Sequence, residues 1–468
     1  MTSVNQKQRD SDVYVSLTKS VSSETAKGTM YWWQTTGRNL ARMLDVAQYP
    51  PDTQARFLSF YLEQICPLFG DPPARKNANS WLRSSLSWDG TPIEYSFDFK
   101  ETGGLPDVRF SIDLAPVRPL NKSAPLSTAP SQKLLDTFIS RNNPDTLWYL
   151  SLRDYFRLST AMKSTPEEQL ALMSQACQPS QEMVAFDIHR TAKTPSPAAI
   201  PASAKVYYRP CLLAAERKTT RWQVIAEAIR QLPALDENPG IVSSLELIES
   251  FLRSQPKYCE EYARFVATDL AEPKKARIKI YIGCREQTFE GVWDWLTLGG
   301  RVTIFNEDDK EKIRELYHLV RGDLGEHNVL ANGALSSTSD ASLKPAQDTA
   351  QRLARELTSR QFSDEFLGND ESSTRKAPPS ENPGLSAHLG PGAKQISVEE
   401  AKKSRPPVIC YYSLQGDESE PIPKLNINPL AIAESDAAVA QGFEQWFQNN
   451  GWTDAVEFAY RSKIGQVL

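Results

Sequence analysis

In the run Arg277-Ile278-Lys279-Ile280-Tyr281-Ile282, two cations and a phenol alternate with three isoleucines. A strand points successive side chains to opposite faces, so Arg277, Lys279 and Tyr281 share one face and the isoleucines the other. Lys205-Val206-Tyr207-Tyr208 repeats the theme, and Val108-Arg109-Phe110-Ser111-Ile112-Asp113 and Lys424-Leu425-Asn426-Ile427-Asn428 alternate in the same way. The upstream run Ile93-Glu94-Tyr95-Ser96-Phe97-Asp98-Phe99 sets the carboxylate of Glu94 on its polar face. Cations and tyrosines converging from several strands can line a cavity for an anion joined to a greasy group. The competing reading of each run is the solvated face of a half-buried sheet. Recurrence of the basic-plus-Tyr pattern in a chain of net charge -5 favours the cavity.

Those strands need elements to hold them. A helix begins near Trp32-Trp33 and carries Leu40, Met43 and Leu44; a second follows Pro50-Pro51 with Phe57, Leu58, Tyr61, Ile65 and Leu68 at helical spacing. Strands at 92–99 and 107–114 flank Gly103-Gly104, which suits a hairpin. Strands near 182–189 and 204–209 precede a helix at about 214–232 and another at 241–254. The 277–282 strand, a strand at 299–304 and a helix at 307–322 come next. The recurring order of helix, strand, strand, helix predicts an α+β fold, an antiparallel sheet covered by helices on one face. If such a sheet closes, the polar faces line its lumen. Residues 1–28 read as a polar lead-in, 29–325 as the first part of the sheet-and-helix unit, and 406–468 as its last part. Residues 326–405, rich in Ser, Ala, Pro, Gly and charge, read as a disordered insertion with a helix expected at 346–362. A last helix is expected at 436–450.

Composition removes several function classes. The mild acidity argues against a partner held by bulk phosphate charge, so no nucleic acid is expected. No run of about 18 apolar residues occurs, so no membrane span is expected. The polar N-terminus lacks the apolar stretch of a secretory signal. The six cysteines (66, 177, 211, 259, 284 and 410) have no CxxC spacing and read as core residues of a cytoplasmic protein. With four histidines and no HExxH there is no expected metal site, and the common hydrolase and nucleotide-binding signatures are missing.

Together these segments resemble the fungal aromatic prenyltransferases of the dimethylallyltryptophan synthase type. The resemblance rests on Trp32-Trp33 with Gly37, the Gln54 to Tyr61 helix, Pro92-Ile93-Glu94-Tyr95-Ser96 and Asp107-Val108-Arg109-Phe110. It continues through Ala185-Phe186-Asp187-Ile188, Lys205-Val206-Tyr207, Arg277 to Tyr281, Leu298-Gly299-Gly300, and Asp436 to Gly451-Trp452. It implies a ten-stranded antiparallel αββα barrel with helices outside. It also implies transfer of a dimethylallyl group from its diphosphate to an aromatic acceptor, with no cofactor and no metal, by a monomer or homodimer. In such a protein Arg109, Lys205, Arg277, Lys279 and Lys424 would bind the diphosphate, while Tyr207 and Tyr281 would shield the allyl cation. Glu94 would accept a hydrogen bond from the acceptor, and Leu86 and Met183 would line its pocket.

Met183 stands where some members carry a lysine base, and His189 shares its strand parity as a weak substitute. At 424–426 Asn426 replaces a family tyrosine, and the family's further strands after Gly451-Trp452 lead us to expect a barrel short of its last strands. The expected acceptor is an indole, such as a Trp-containing cyclic dipeptide. Two alternatives stand beside it: a phenolic polyketide of the xanthone or naphthacene type, with a dimethylallyl or geranyl donor, and a non-catalytic relic that only binds prenyl diphosphate.

Overall fold

The computed structural model describes residues 10–70, 72, 84, 86, 91–100, 103–114, 126–159, 165–176, 180–190, 196, 198–286, 288–321, 408–428, 433 and 436–452. Eight strands form one antiparallel sheet in chain order: β1 (Ile93–Asp98), β2 (Asp107–Ile112), β3 (Glu182–Ile188), β4 (Ala202–Tyr208), β5 (Ala263–Asp269), β6 (Ile278–Cys284), β7 (Val408–Leu414) and β8 (Ile422–Ile427). The sheet curls into a half-barrel, and among the described residues β8 is not paired back to β1. Of the ten strands expected from the sequence, eight lie among the described residues. The expected shortfall at the C-terminus falls on residues after 452, outside those described.

One face of this sheet is apolar because the strands alternate. Val108, Phe110 and Ile112 of β2, Val184, Phe186 and Ile188 of β3, Val206 and Tyr208 of β4, and Ile278, Ile280 and Ile282 of β6 are all buried. Helices cover that face. α1 (Asp12–Ser20), α2 (Lys27–Trp32), α3 (Arg38–Val46) and α4 (Pro51–Phe60) come first. They are followed by α5 (Ala129–Asn142), α6 (Leu147–Tyr155), α7 (Pro166–Ala176), α8 (Pro210–Arg217), α9 (Arg221–Arg230) and α10 (Pro239–Ser254). Last come α11 (Phe289–Leu296), α12 (Glu307–Arg321) and α13 (Asp436–Asn449). Phe57 and Phe60 of α4 and Phe138 of α5 meet Phe186 edge-on at 6.2, 5.9 and 5.5 Å between centroids, and Phe186 also leans on Phe110 at 5.5 Å. Edge-to-face contacts of this kind suit the ring quadrupole and add to the area buried.

The stretch from α2 to α3 is one helical run with a π turn at Trp33–Gly37. A Cβ on Gly37 would lie 2.3 Å from Trp33 Cε3, so only glycine lets the buried indole fold back there. Trp33 in turn stacks on Tyr14 of α1 at 4.8 Å, so the polar lead-in contributes a packed helix.

Three further expectations need correction. Residues 299–304 are not a strand: Leu298, Gly299 and Gly300 all have positive φ, which no extended run adopts. The helix expected at 214–232 is two, broken at Lys218 in the left-handed region (φ 56) and restarted by a capping box of Thr220 and Gln223. β5 was not foreseen at all. The insertion at 326–405, with its helix at 346–362, lies outside the described residues, as does Cys177. The other five cysteines are free and buried, and among the described residues no helix is long and apolar enough to cross a membrane. Truncating Phe186 to Ala empties the aromatic knot between sheet and helices. The expected loss is about 3–5 kcal/mol, read as a lower urea midpoint at unchanged slope.

Candidate active site

The face of the sheet opposite those helices carries the polar half of each alternation, and the registers fix which side chains are neighbours. One row runs Glu94, Ser111, Ala185, Lys205 and Asp269 across β1 to β5. The next runs Met183, Tyr207, Ala267, Lys279 and Ser413 across β3 to β7. A third sets Phe265 beside Tyr281, then Tyr411 and Lys424. Arg109 pairs with Ser96 and Asp187 on the far side of the first row.

The cations form two pairs, Arg109 with Lys205 and Arg277 with Lys279, each bridged by one aspartate, and a third aspartate holds Arg109. Arg109 bonds Asp98 through Nη2, and its Nε lies 3.4 Å from Asp187. Lys205 Nζ donates to the other oxygen of Asp187. Arg277 Nε and Lys279 Nζ share Asp269, at 2.8 and 3.4 Å. Lys205 and Lys279 are nearly buried, whereas Arg109 and Arg277 keep 37% and 40% of their side-chain surface open to solvent. Burial, with Lys205 and Arg277 beside it, brings the Lys279 ammonium down to about 7, against the pull of Asp269. At Asp269 burial acts upward, but Lys279, Arg277 and Lys205 outweigh it and hold the carboxyl below its ordinary range.

Beside the cations lies an aromatic layer. Tyr281 stacks on Tyr411 at 4.8 Å and 29°, meets Tyr207 at 5.7 Å, and takes Phe265 edge-on at 5.9 Å. Burial raises the phenol of Tyr207 to about 12 and that of Tyr281 well above its ordinary value, so both stay neutral donors. Glu94 remains open to water on the inner face, yet protein crowds it on most sides, and burial raises its carboxyl.

The structure thus brings Glu94, Arg109, Lys205, Arg277, Lys279, Tyr207, Tyr281 and Met183 to one face. Lys424 is on that face but stands apart: exposed on β8, it lies 5.9 Å over the Tyr411 ring and joins none of the ion pairs above. Leu86 is half-buried, its amide bonded to Ser84, whose hydroxyl donates to Asp113 beyond the end of β2. His189 is exposed past the end of β3, about 20 Å along the strand from Met183 at ~3.3 Å per residue, which removes it as a substitute base. The three aspartates and Tyr411 went unrecognised in the sequence. Parity on β7 puts Tyr411 opposite Tyr281, which was readable only once that pairing was known. Among the described residues no group of three His, Cys, Asp or Glu side chains could hold a metal ion.

Residues 29–462 match the family described as tryptophan dimethylallyltransferase. The chain belongs to that family. It is a prenyltransferase by descent: prenyltransferase phnF of Penicillium herquei is 34% identical over 436 residues, covering 93% of this chain and 82% of the relative. Family relatives at greater distance include 4-O-dimethylallyl-L-tyrosine synthase of Claviceps purpurea, 27% identical over 61% of this chain and 60% of its own length. Xanthone prenyltransferase B of Emericella nidulans is 27% identical over 63% and 60%. The solved structure of NotF in complex with brevianamide F and DMSPP superposes with a TM-score of 0.66 over 98% of this chain and 90% of that one. At 21% identity that likeness establishes the fold, the αββα prenyltransferase half-barrel.

The titration of Lys279 near 7 generates a test. Lys279 is charged below about pH 7 and neutral above it, and a bound polyanion keeps it charged. Binding above pH 7 therefore takes up a proton at Lys279, which weakens affinity for inorganic pyrophosphate as pH rises by at most about tenfold per unit relative to a variant whose cation does not titrate in this range. Calorimetry from pH 6.5 to 9 is expected to show that slope in the wild type and to lose it in Lys279→Arg.

Proposed function

We propose that the protein transfers a dimethylallyl group from dimethylallyl diphosphate to a phenolic aromatic acceptor without a metal ion. The observation that carries this reading is the shared face of four ion-paired cations, a tyrosine layer and Glu94, a carboxylate outside those ion pairs, in adjacent rows. Breaking the allylic C–O bond leaves a diphosphate that gains negative charge. Arg109, Lys205, Arg277 and Lys279 are the groups that would receive it, the arginines in bidentate fashion and the lysines as point charges. The allyl cation would lie against the faces of Tyr207, Tyr281 and Tyr411, where ring quadrupoles stabilise it and the rings exclude water. Lys424, outside the ion-paired cluster, would assist entry of the anion.

Glu94 would accept the acceptor's O–H proton. A carboxyl whose pKa burial raises is a stronger base, and a phenol, which titrates near 10, releases its proton more readily than an indole N–H. Attack by the phenoxide on the allyl cation forms a neutral dienone at carbon, or an ether at oxygen. The dienone then returns to the aromatic ring by passing its ring proton to water. No cationic ring intermediate arises, so the apolar Met183 where a lysine base was looked for is no obstacle. Relatives whose names state a xanthone and a tyrosine 4-oxygen as acceptors support the same choice. An indole acceptor, the expectation from the sequence, would use the same contact at Glu94 but would leave Met183 unexplained. Met183 and Leu86 would line the acceptor pocket in either case.

The test is a product screen by mass spectrometry. Protein, dimethylallyl diphosphate and EDTA are offered hydroxyxanthones, hydroxynaphthacenes, tyrosine derivatives, tryptophan and Trp-containing cyclic dipeptides. A gain of one prenyl unit on phenols is the expected result; gain on indoles alone overturns the acceptor class, and no product from any acceptor overturns the activity. Arg277→Ala and Lys279→Ala are each expected to lower turnover by about 10²–10³. Glu94→Gln is expected to remove the acid limb of the pH–rate profile, because the wild-type rate falls as the carboxylate is protonated.

A further inference from the structure

At the end of the half-barrel next to Met183 lies an ion pair that the chemistry above does not use. Arg209 follows Tyr207 in the same strand parity, and Asp113 follows Arg109 and Ser111, so both continue the inner face beyond β4 and β2. Their side chains are 1% and 0% exposed. Arg209 Nη2 lies 3.2 Å from Asp113 Oδ2, Nη1 donates to Ser180 just before β3, and Nε has no hydrogen-bond partner among the described residues. The same Asp113 oxygen accepts from Ser180 at 3.1 Å and from Ser84 at 2.9 Å, and Ser84 Oγ in turn accepts the Leu86 amide at 3.0 Å. On its other side the Arg209 guanidinium sits 5.6 Å from the ring of Phe265, the residue that meets Tyr207 and Tyr281 edge-on.

A fully buried ion pair is weak evidence for stability, because the cost of desolvating both ions cancels much of their attraction. Its retention here has a geometric correlate. One pair ties the ends of β2, β3 and β4 together, and it touches both the Ser84–Leu86 corner and the aromatic layer. Asp113 N also donates to Pro92 O at 2.9 Å, so the residue that Ser84 bonds is paired to the position two before Glu94 in β1. We propose that Arg209 and Asp113 form a positioning unit for the acceptor: through Ser84 they fix Leu86 relative to Glu94, and through Phe265 they fix the tyrosine layer against which the acceptor ring must lie. The inference rests on the proposed prenyl transfer for its catalytic consequence, but the tether itself does not.

Ser84→Ala removes the tether and leaves the buried pair intact, so the variant is expected to fold. The acceptor is the preferred substrate from the product screen. We expect its KM to rise about 10- to 100-fold, the value of one lost hydrogen bond to a charged group, with kcat and the KM for dimethylallyl diphosphate unchanged. Amide hydrogen exchange at the peptide containing Leu86 is expected to quicken by a similar factor. The paired replacement of Arg209 by Met and Asp113 by Leu removes both charges together, avoiding an orphaned ion, and is expected to reproduce the same split if it folds. An unchanged acceptor KM, or equal rises for donor and acceptor, overturns the positioning role. If the wild type prenylates nothing, the activity is what fails; the exchange experiment on wild type and Ser84→Ala then still decides the tether, and unchanged exchange refutes it.

Discussion

The register of β4, β5 and β6 is the constraint on which the rest depends. Side chains alternate with a period of two, so a slip of one residue would exchange Lys205 and Tyr207 for Val206 and Tyr208, and Lys279 for Ile278 or Ile280. A slipped β6 would push ammonium groups against the helices at several kcal/mol per ion. It would also bring isoleucines to water at about 1.5–3 kcal/mol each. The alternation that makes the helix-facing core also places every cation on the opposite face. Fold and site are therefore specified by the same alternation of residues.

Gathering four cations on one partly buried face is itself unfavourable, and the aspartates answer that difficulty. Asp98, Asp187 and Asp269 sit between Arg109, Lys205, Arg277 and Lys279, so each cation has a partner in the absence of substrate. The compensation is incomplete at Lys279, where burial and two like charges bring the ammonium down to about 7. Positive potential is thus held in reserve at the deepest cation, while solvent still reaches much of Arg109 and Arg277.

The sequence was most legible where alternation was strict and the polar residues were long or aromatic. The β1–β2 hairpin, β3, β4 and β6 could be read in this way, and Glu94, Arg109, Lys205, Arg277 and Lys279 came with them. β5 escaped because Ala263, Ala267 and Thr268 give it little contrast between faces. The three aspartates lie at or next to strand ends, where an acid ordinarily reads as a boundary residue. Val302-Thr303-Ile304 looked like a strand because its β-branched residues outweighed the turn chemistry of Gly299-Gly300, yet positive φ at 298–300 rules. Arg209 and Asp113 lie 96 residues apart, and a contact between them is decided by which strand ends meet in space, which no local pattern records.

The pairing of β6 with β7 has a consequence for how the protein is made. The β6 edge that carries Lys279 and Tyr281 finds its partner only when Val408–Leu414 has been synthesised, with the whole stretch from Cys284 onward in between. At bacterial or eukaryotic elongation rates this delay is on the order of ten seconds, far longer than the microseconds in which a hairpin forms. During that interval a fully formed strand edge, flanked by isoleucines, is open to any other chain emerging nearby. Charged side chains on an unpaired strand disfavour such pairing, so the residues suited to holding an anion in the finished protein would also protect its unfinished half.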